Sequence, residues 1–392
     1  MSEPVPTSFE MDEPEREAAP LSDRSQTTDV EKEDTESVEQ RKPFNPAEIR
    51  MDVKTVNLDV LLKRMANQEI DLAPPFQRQA GVWDDTAQSR LIESLLIRIP
   101  IPAFYFDARD DDKWVVVDGL QRLTILKRFL QAEQPKDELV LTNLEFLTEY
   151  NGKRAADLPR FMRRRIEETL VVLYLMQPGT PEEVKFNLFK RVNTGGEPLT
   201  AQEIRHALNQ GPAALLLEEL AESPEFLRAT AKSIPKDRMA DRECVLRVLA
   251  FLHTKPAEYQ SGSFDAFLHQ CMKELNGGSR LRLGLLKQQF LTAMTRAHLL
   301  LGKFAFRKFQ QAGPRGPINK ALLEAWSVNL AMLTDTQVSL LSARKQDLYN
   351  RFVRELNESD FNLAVTQGTG APARVKLRFE RIARIIQETL ES

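Results

Sequence analysis

The sequence is poor in cysteine and histidine, and each shortage excludes a class of site. Only two of its 392 residues are cysteines, Cys244 and Cys271. They are too far apart for a CxxC motif, so we expect neither a disulfide framework nor a zinc ribbon. We expect the protein to reside in a reducing cytoplasm. The four histidines form no HxH, HExxH or His-Asn-His spacing, which argues against a histidine–metal nuclease site.

Long apolar runs and familiar hydrolase motifs are also absent. No stretch approaches the roughly 20 apolar residues that cross a bilayer. The acidic start of the chain lacks the basic and apolar regions of a signal peptide. Neither GxxxxGK(S/T) nor GxSxG occurs, so the sequence predicts no P-loop and no nucleophile elbow. We expect a soluble cytoplasmic protein that does not bind membranes.

The net charge of -3 conceals an uneven distribution. Residues 1–40 contain 13 acidic and 3 basic residues, which leaves 44 acidic and 51 basic residues for positions 41–392. We predict that residues 1–45, rich in Glu, Asp, Ser, Thr and Pro, form a disordered acidic tail. The tail is either a solubilising extension or an internal polyanion that competes with other polyanions for the basic body.

One stretch of the sequence combines a strand, a glycine turn and a helix. Residues 114–117 form a short apolar, β-branched run typical of a buried strand. Asp118-Gly119 ends the strand, and apolar residues then recur at three- and four-residue spacing to position 130, as in an amphipathic helix. The first N–H groups of such a helix point outward and favour a phosphate or another anion.

The turn carries three polar side chains with two alternative explanations. Asp118 could bind a metal ion or act as a base, Gln121 could orient a ligand, and Arg122 could clamp a phosphate. The alternative is structural: Asp118 caps the helix and Arg122 lies on the surface.

Strands and helices alternate in the first half of the sequence, which predicts an α/β fold. Further strands are expected at residues 51–58, 103–107, 139–143 and 170–176. Helices are expected at residues 58–67, 85–96, 158–168 and 181–191. After residue 210 the pattern is helical: 213–222, 240–253, 264–275, 285–301, 319–334, 336–356 and 374–390. The sequence thus predicts an α/β domain at 46–210 followed by an all-α domain at 211–392.

Two other segments carry polar residues at marked positions. Gln77 and Arg78 follow two prolines, which force an extended backbone and suit a pre-positioned contact. Thr200 and Glu203 have the spacing of a capping box. Asn193 and Arg205, on either side of that box, are polar residues that the capping pattern does not use.

Four sequence blocks together resemble one family. They are Pro75-Phe76-Gln77-Arg78 with Val82-Trp83; Leu91-Ile92-Glu93-Ser94-Leu95-Leu96 with Ile99-Pro100-Ile101-Pro102; Val117-Asp118-Gly119-Leu120-Gln121-Arg122-Leu123-Thr124; and the segment from Phe189 through Asn193-Thr194-Gly195-Gly196 to Glu203-Ile204-Arg205. In this order they are similar to the N-terminal domain of the GmrSD type IV restriction enzymes, also called the DGQQR-motif domain.

The resemblance implies a fold, ligands and a biological setting. It implies a small mixed sheet with helices of the ParB/sulfiredoxin-like superfamily, which binds and in relatives hydrolyses nucleoside triphosphates with Mg²⁺. In phage defence this step gates a nuclease. The motif falls on Asp118, Gly119, Gln121 and Arg122, with Gln77-Arg78 upstream and Asn193 downstream.

The sequence departs from the family pattern in two places. Leu120 replaces the usual first glutamine of the motif, which removes one polar contact. No His-rich nuclease motif follows in residues 211–392. The predicted partners are therefore a nucleoside triphosphate and a separate nuclease or other effector, with weak or indirect binding of DNA. The rival hypothesis is a non-catalytic adaptor that binds a nucleic acid or a protein.

Overall fold

The computed structural model describes residues 30–31, 49–71, 83–110, 112–180, 200–260, 263–308 and 316–392. The predicted helix at 181–191 lies outside these ranges. So does the predicted disordered tail, apart from Val30 and Glu31, which contact the second half of the chain. No helix within the described ranges is long and apolar enough to cross a membrane.

A mixed sheet forms the centre of the first half. Its five strands lie in the order β1-β5-β3-β4-β2. They are β1 Met51–Asn57, β2 Ile70–Asp71, β3 Phe104–Asp107, β4 Trp114–Asp118 and β5 Leu170–Met176. Strands β1/β5 and β3/β4 pair antiparallel, whereas β3/β5 and β2/β4 pair parallel. Four of these strands were predicted, and the two-residue β2 was missed.

Four helices cover one face of this sheet and enclose its core. They are α1 Leu58–Ala66, α2 Asp85–Leu96, α3 Leu120–Leu130 and α4 Arg160–Glu167. The side chain of Asp84 accepts the Ala87 N–H at 2.7 Å and so caps α2, which confirms the predicted start of that helix. Apolar residues of α1 to α4 pack on alternate residues of β3, β4 and β5 in one continuous cluster.

The predicted strand at 139–143 is wrong. Leu139 and Leu141 are fully buried, as the apolar pattern indicated, but no ladder forms there. The N–H of Leu141 donates to the Lys153 carbonyl at 2.9 Å, and the N–H of Thr142 donates to Ser89 Oγ at 3.0 Å. Because local partners and α2 already satisfy these backbone groups, the segment needs no neighbouring strand.

Glu93 holds the loop that follows. This glutamate of α2 is 3% exposed, and its carboxylate accepts the N–H groups of Glu145, Phe146 and Leu147 at 3.0, 2.7 and 2.8 Å. Burial raises the pKa of Glu93, but these three donors, with Arg90, outweigh burial and leave the pKa below its ordinary value. Glu93 is therefore an ionised anchor for a loop that has no ladder of its own.

The second half of the chain is helical, as predicted. Its helices are α5 Ala201–Leu208, α6 Pro212–Ala221, α7 Pro224–Ala229, α8 Ala240–His253, α9 Phe264–Asn276, α10 Arg280–Leu301, α11 Lys320–Ala331, α12 Asp335–Ala343, α13 Lys345–Leu356, α14 Ser359–Thr366 and α15 Pro372–Glu391. Those from α6 onward share one hydrophobic core. The fold class, α/β followed by all-α, is confirmed.

Three details of the helical half differ from the prediction. The single helix expected at 336–356 is two helices, α12 and α13, which meet at Arg344. The short helices α7 and α14 were not predicted. Six to eight residues carry too few turns for an apolar period to stand out in the sequence.

Helix α5 joins the sheet to the helical half. The predicted capping box is confirmed, because the Thr200 side chain accepts the Glu203 N–H and Glu203 reaches back to the Thr200 N–H. The buried Glu203 carboxylate also pairs with Arg238 at 2.9 Å. Arg205, 1% exposed, pairs with Asp265 at 2.8 Å. Glu203 and Arg205 thus attach α5 to the helical half through ion pairs.

The Glu93 anchor yields a stability prediction. Glu93→Gln keeps the size but removes the charge and part of the acceptor capacity, so the free energy of unfolding at pH 7 should fall by about 1–3 kcal/mol. Because the folded pKa lies below the unfolded value, this contribution is complete above roughly pH 4.3 and is lost as pH falls through the folded pKa. Urea unfolding at a series of pH values measures both effects.

Glu145→Gln is the matched control. Glu145 lies in the same loop, and its side chain is exposed. The Glu145→Gln variant should have the same free energy of unfolding as the unmodified chain at each pH. Equal losses in the two variants would contradict the assignment of Glu93 as the anchor.

Candidate functional site

The predicted strand–turn–helix is present. Strand β4 ends at Asp118, Gly119 follows with φ +97°, and α3 begins at Leu120. Glycine is required there for two reasons. This φ is strained for any residue with a side chain, and a Cβ atom would lie 2.4 Å from Cδ1 of Phe104. We call residues 118–122 the Asp118 turn.

Arg122 is buried beneath the turn, where its guanidinium contacts three groups. It donates to the Pro102 carbonyl, to the Ala103 carbonyl at 3.2 Å, and to Asp118 Oδ2 at 2.8 Å. Its Cζ atom lies 4.7 Å from the ring centroid of Phe104. The alternative of a surface arginine is therefore wrong, since Arg122 is 8% exposed.

Asp118 does not cap α3. Gly119 occupies the N-cap position, and no side chain caps this helix. Burial raises the pKa of Asp118, and the charge of Arg122 and the Gly119 N–H only partly offset it, so the pKa lies above its ordinary value. Burial likewise lowers the pKa of Arg122, and Asp118 partly opposes that shift. The carboxylate is thus poorly solvated, while its side chain is still 22% exposed.

Two tyrosines beside the turn were not singled out from the sequence. Tyr105 pairs with Asp118 across β3 and β4, and its ring stacks on Tyr174 with centroids 4.6 Å apart. Burial, followed by Tyr174 and the charge of Asp118, raises the pKa of Tyr105. Strands β3 and β4 pair antiparallel and so lie side by side. However, a register shift between Tyr105 and Phe106 makes Tyr105 face Asp118.

The back of the turn contacts the helical half. Val117 is 2% exposed and packs with Met176 of β5, with Ile204 of α5 and with Met239. Tyr105 is packed against the same cluster. The strand that ends at the turn therefore shares a hydrophobic cluster with the helix that joins the two halves.

The other predicted site residues are only partly placed. Gln121 lies half-buried in the first turn of α3. Gln77, Arg78 and Asn193 lie outside the described residues, so their predicted roles stay predictions.

Strand β2 shows where the chain carrying Gln77 and Arg78 leaves the sheet. It runs parallel to β4, and Asp71 pairs with Val115. Parallel neighbours end at the same edge of a sheet. The chain therefore leaves β2 at the edge where Asp118 lies.

A metal ion would need ligands from elsewhere. Across the described part of the chain, no group of three or more His, Cys, Asp or Glu side chains could hold one. Asp118 offers a single carboxylate, one oxygen of which already accepts from Arg122. That fits Mg²⁺, which keeps several waters and is often bound through one or two carboxylates together with substrate phosphates.

Comparison with known proteins identifies the family of this segment. Residues 59–209 match the family described as GmrSD restriction endonuclease, N-terminal domain. The resemblance inferred from the four motifs is confirmed. No curated protein and no solved structure matches the chain. The likeness to ParB-like folds therefore stays an expectation.

The Asp118 turn predicts that two glycines differ in tolerance. Gly119→Ala combines a positive φ with contact to Phe104, so we expect a loss of about 2–4 kcal/mol in the free energy of unfolding. Gly152 also has a positive φ, +79°, but nothing lies within 4 Å of its added Cβ. Gly152→Ala should cost about 1 kcal/mol. Urea unfolding compares them, and equal losses would show that the contact with Phe104 is unimportant.

Proposed function

Because residues 59–209 match the family described as GmrSD restriction endonuclease, N-terminal domain, we propose that the Asp118 turn binds and hydrolyses a nucleoside triphosphate. The chain carries a domain related to restriction systems. The observation that supports a nucleotide site is the Asp118 turn itself, which joins a partly exposed carboxylate to a helix start without a side-chain cap.

The start of α3 supplies the phosphate site in this proposal. The first N–H groups of a helix have no partner within the helix, and the helix dipole favours negative charge at this end. Gly119 lets the backbone approach a ligand closely. Gln121, in the first turn of the helix, adds an amide that positions the phosphates or the attacking water. Gln77, Arg78 and Asn193 complete the predicted set.

Arg122 has a positioning role alongside its predicted role as phosphate clamp. Its described contacts all run inward, to two carbonyl groups, a ring and Asp118. The guanidinium orients the Asp118 carboxylate and places a positive charge under the turn. Outright loss of Arg122 would also disturb the fold, so Arg122→Ala cannot separate binding from stability.

Asp118 carries the hydrolytic step in the proposal. Its partly exposed carboxylate would hold Mg²⁺ together with phosphate oxygens, or orient the attacking water. Bound Mg²⁺ would neutralise charge on the phosphates. An acid with a raised pKa in a partly buried position is a candidate functional group. Tyr105 lies beside it across the pair of strands β3 and β4.

The wider role follows from the family and from the helical half. We propose that the bound nucleotide acts through the helical half on a separate effector, such as a nuclease, in cytoplasmic defence against modified phage DNA. The contact of Val117 with α5 supports this direction of coupling. The chain itself has no recognised nuclease motif.

The rival adaptor hypothesis needs an extended basic face, because affinity for DNA grows with each phosphate that is neutralised. The densest basic run lies on α4, where Arg160 pairs with Glu167 and Arg164 with Glu168. Paired charges of this kind leave little excess for a DNA backbone. The structure thus favours a small anion over duplex DNA, whose binding we expect to be weak or indirect.

Triphosphate binding should be sensitive to charge at Gln121. Gln121→Glu is nearly isosteric and places a negative charge in the first turn of α3, so affinity should fall roughly tenfold or more. Gln134→Glu makes the same chemical change at an exposed position after the helix and should bind like the unmodified chain. Calorimetric titration with each nucleoside triphosphate and Mg²⁺ measures the affinities.

Turnover should depend on Asp118. Asp118→Asn keeps the shape and removes the charge, so nucleotide binding should persist while phosphate release slows roughly 100-fold or more. Asp112→Asn, at an exposed position before β4, is the matched control. Undetectable nucleotide binding together with tight, salt-resistant binding of duplex DNA would overturn the proposal in favour of the adaptor.

A further inference from the structure

Two residues of the acidic N-terminal tail lie against the helical half. Val30 forms a parallel bridge with Ile318, and the Glu31 N–H donates to the Ile318 carbonyl at 2.9 Å. On its other side, Ile318 forms an antiparallel bridge with Arg307. Val30 therefore adds a third extended segment beside Ile318 through an isolated β-bridge, and an extended peptide binds an open edge through backbone pairing of the same kind.

The Glu31 carboxylate contacts two groups at the end of this ladder. It forms an ion pair with Lys308 and accepts the Asn319 Nδ2–H at 2.8 Å. Asn319 is the N-cap of α11, where its side chain accepts the Leu322 N–H at 2.8 Å. A carboxylate at this position is also favoured by the dipole of the 12-residue helix.

The surface that receives the tail is built from buried residues. Ile318, Asn319 and Arg307 are 0, 3 and 2% exposed. The Arg307 guanidinium donates to Gly316, and to Thr230 and Ser233 at 3.2 and 2.6 Å. The receiving strand is thus held in place by the helical half. Val30, half-buried, packs against the large helical core.

We propose that Lys308, Ile318 and Asn319 form a docking site for an extended peptide with an apolar residue followed by an acidic one, and that the chain's own Val30–Glu31 occupies it. The backbone pairing with Ile318 supplies affinity that does not depend on the side chains of the peptide. The core contact selects an apolar side chain, and the ion pair selects an acid. This docking site is independent of the proposed nucleotide site.

Docking holds the tail to one place on the helical half. Residues 1–29 contain eight acidic and two basic residues, and they precede the docked pair directly. Holding them in cis gives the tail a high effective concentration near its site. An acidic peptide from another protein must displace Val30–Glu31 before it can use the same edge.

Hydrogen exchange in the full chain tests the proposal. The Glu31 amide should exchange roughly tenfold or more slowly than the Glu39 amide, because a hydrogen-bonded amide exchanges only when its contact opens. Glu31→Ala removes the ion pair with Lys308 and the contact with Asn319, so protection of the amide of residue 31 should disappear in this variant. Lys308→Ala should have the same effect, while Lys308→Arg should retain most of the protection.

The tail contains a matched control. Val38-Glu39 repeats the docked dipeptide eight residues later. Val38→Ala with Glu39→Ala should leave exchange of the Glu31 amide unchanged. Rapid exchange of the Glu31 amide in the unmodified chain, or equal loss of its protection on replacing either dipeptide, would overturn the proposal. Protection that rises with protein concentration would assign the site to a second copy's tail and overturn docking in cis.

Discussion

The buried guanidinium of Arg122 is the contact on which the candidate site depends. It belongs to the first turn of α3, yet it binds two carbonyl groups that lie 19 and 20 residues earlier, immediately before β3. A buried cation is costly unless it is paired and hydrogen-bonded. Asp118 provides the pairing charge, and the Phe104 ring lies against the guanidinium. The same ring leaves no space for a Cβ at position 119. The positions of Arg122, Asp118 and Phe104 and the glycine at position 119 therefore depend on one another.

This arrangement extends physically into the helical half. The residue before Asp118 is Val117, which packs with Ile204 on α5. Helix α5 in turn holds the ion pairs of Glu203 with Arg238 and of Arg205 with Asp265. A displacement of the end of β4 would therefore disturb the hydrophobic cluster that it shares with α5. Ion pairs connect α5 to the helical half. The packing gives a route for coupling, and the nucleotide experiments decide whether it is used.

Local patterns in the sequence predicted local structure well. The glycine turn, the capping box at Thr200 and the start of α2 each depend on residues a few positions apart, and each is confirmed. Contacts over long sequence distances were not predictable in this way. The burial of Arg122 depends on its hydrogen bond to the carbonyl of Pro102. Tyr105 lies opposite Asp118 only because the pairing register of β3 and β4 shifts between Tyr105 and Phe106.

The error at residues 139–143 has the same origin. An apolar alternation reports burial, and Leu139 and Leu141 are indeed buried. It does not report which groups accept the backbone N–H bonds. Here those groups are a neighbouring loop and side chains of α2, namely Ser89 and, further on, Glu93. A polar side chain of a helix can therefore accept the backbone hydrogen bonds that a neighbouring strand would otherwise accept. Such a contact is visible only in the folded structure.

Exposure distinguishes the Asp118–Arg122 pair from the ion pairs that Glu324 makes in the helical core. Glu324 binds Arg378 and Arg247 within the helical core, where the carboxylate and Arg378 are 0% exposed. No ligand could reach that carboxylate without opening the core, so its role is structural. Asp118 has a similarly bound arginine beneath it, but 22% of its side chain remains accessible at a sheet edge. Water weakens the attraction between the charges of such a partly open pair. The accessible carboxylate, with its pKa raised by burial, supports the proposal that Asp118 meets a ligand.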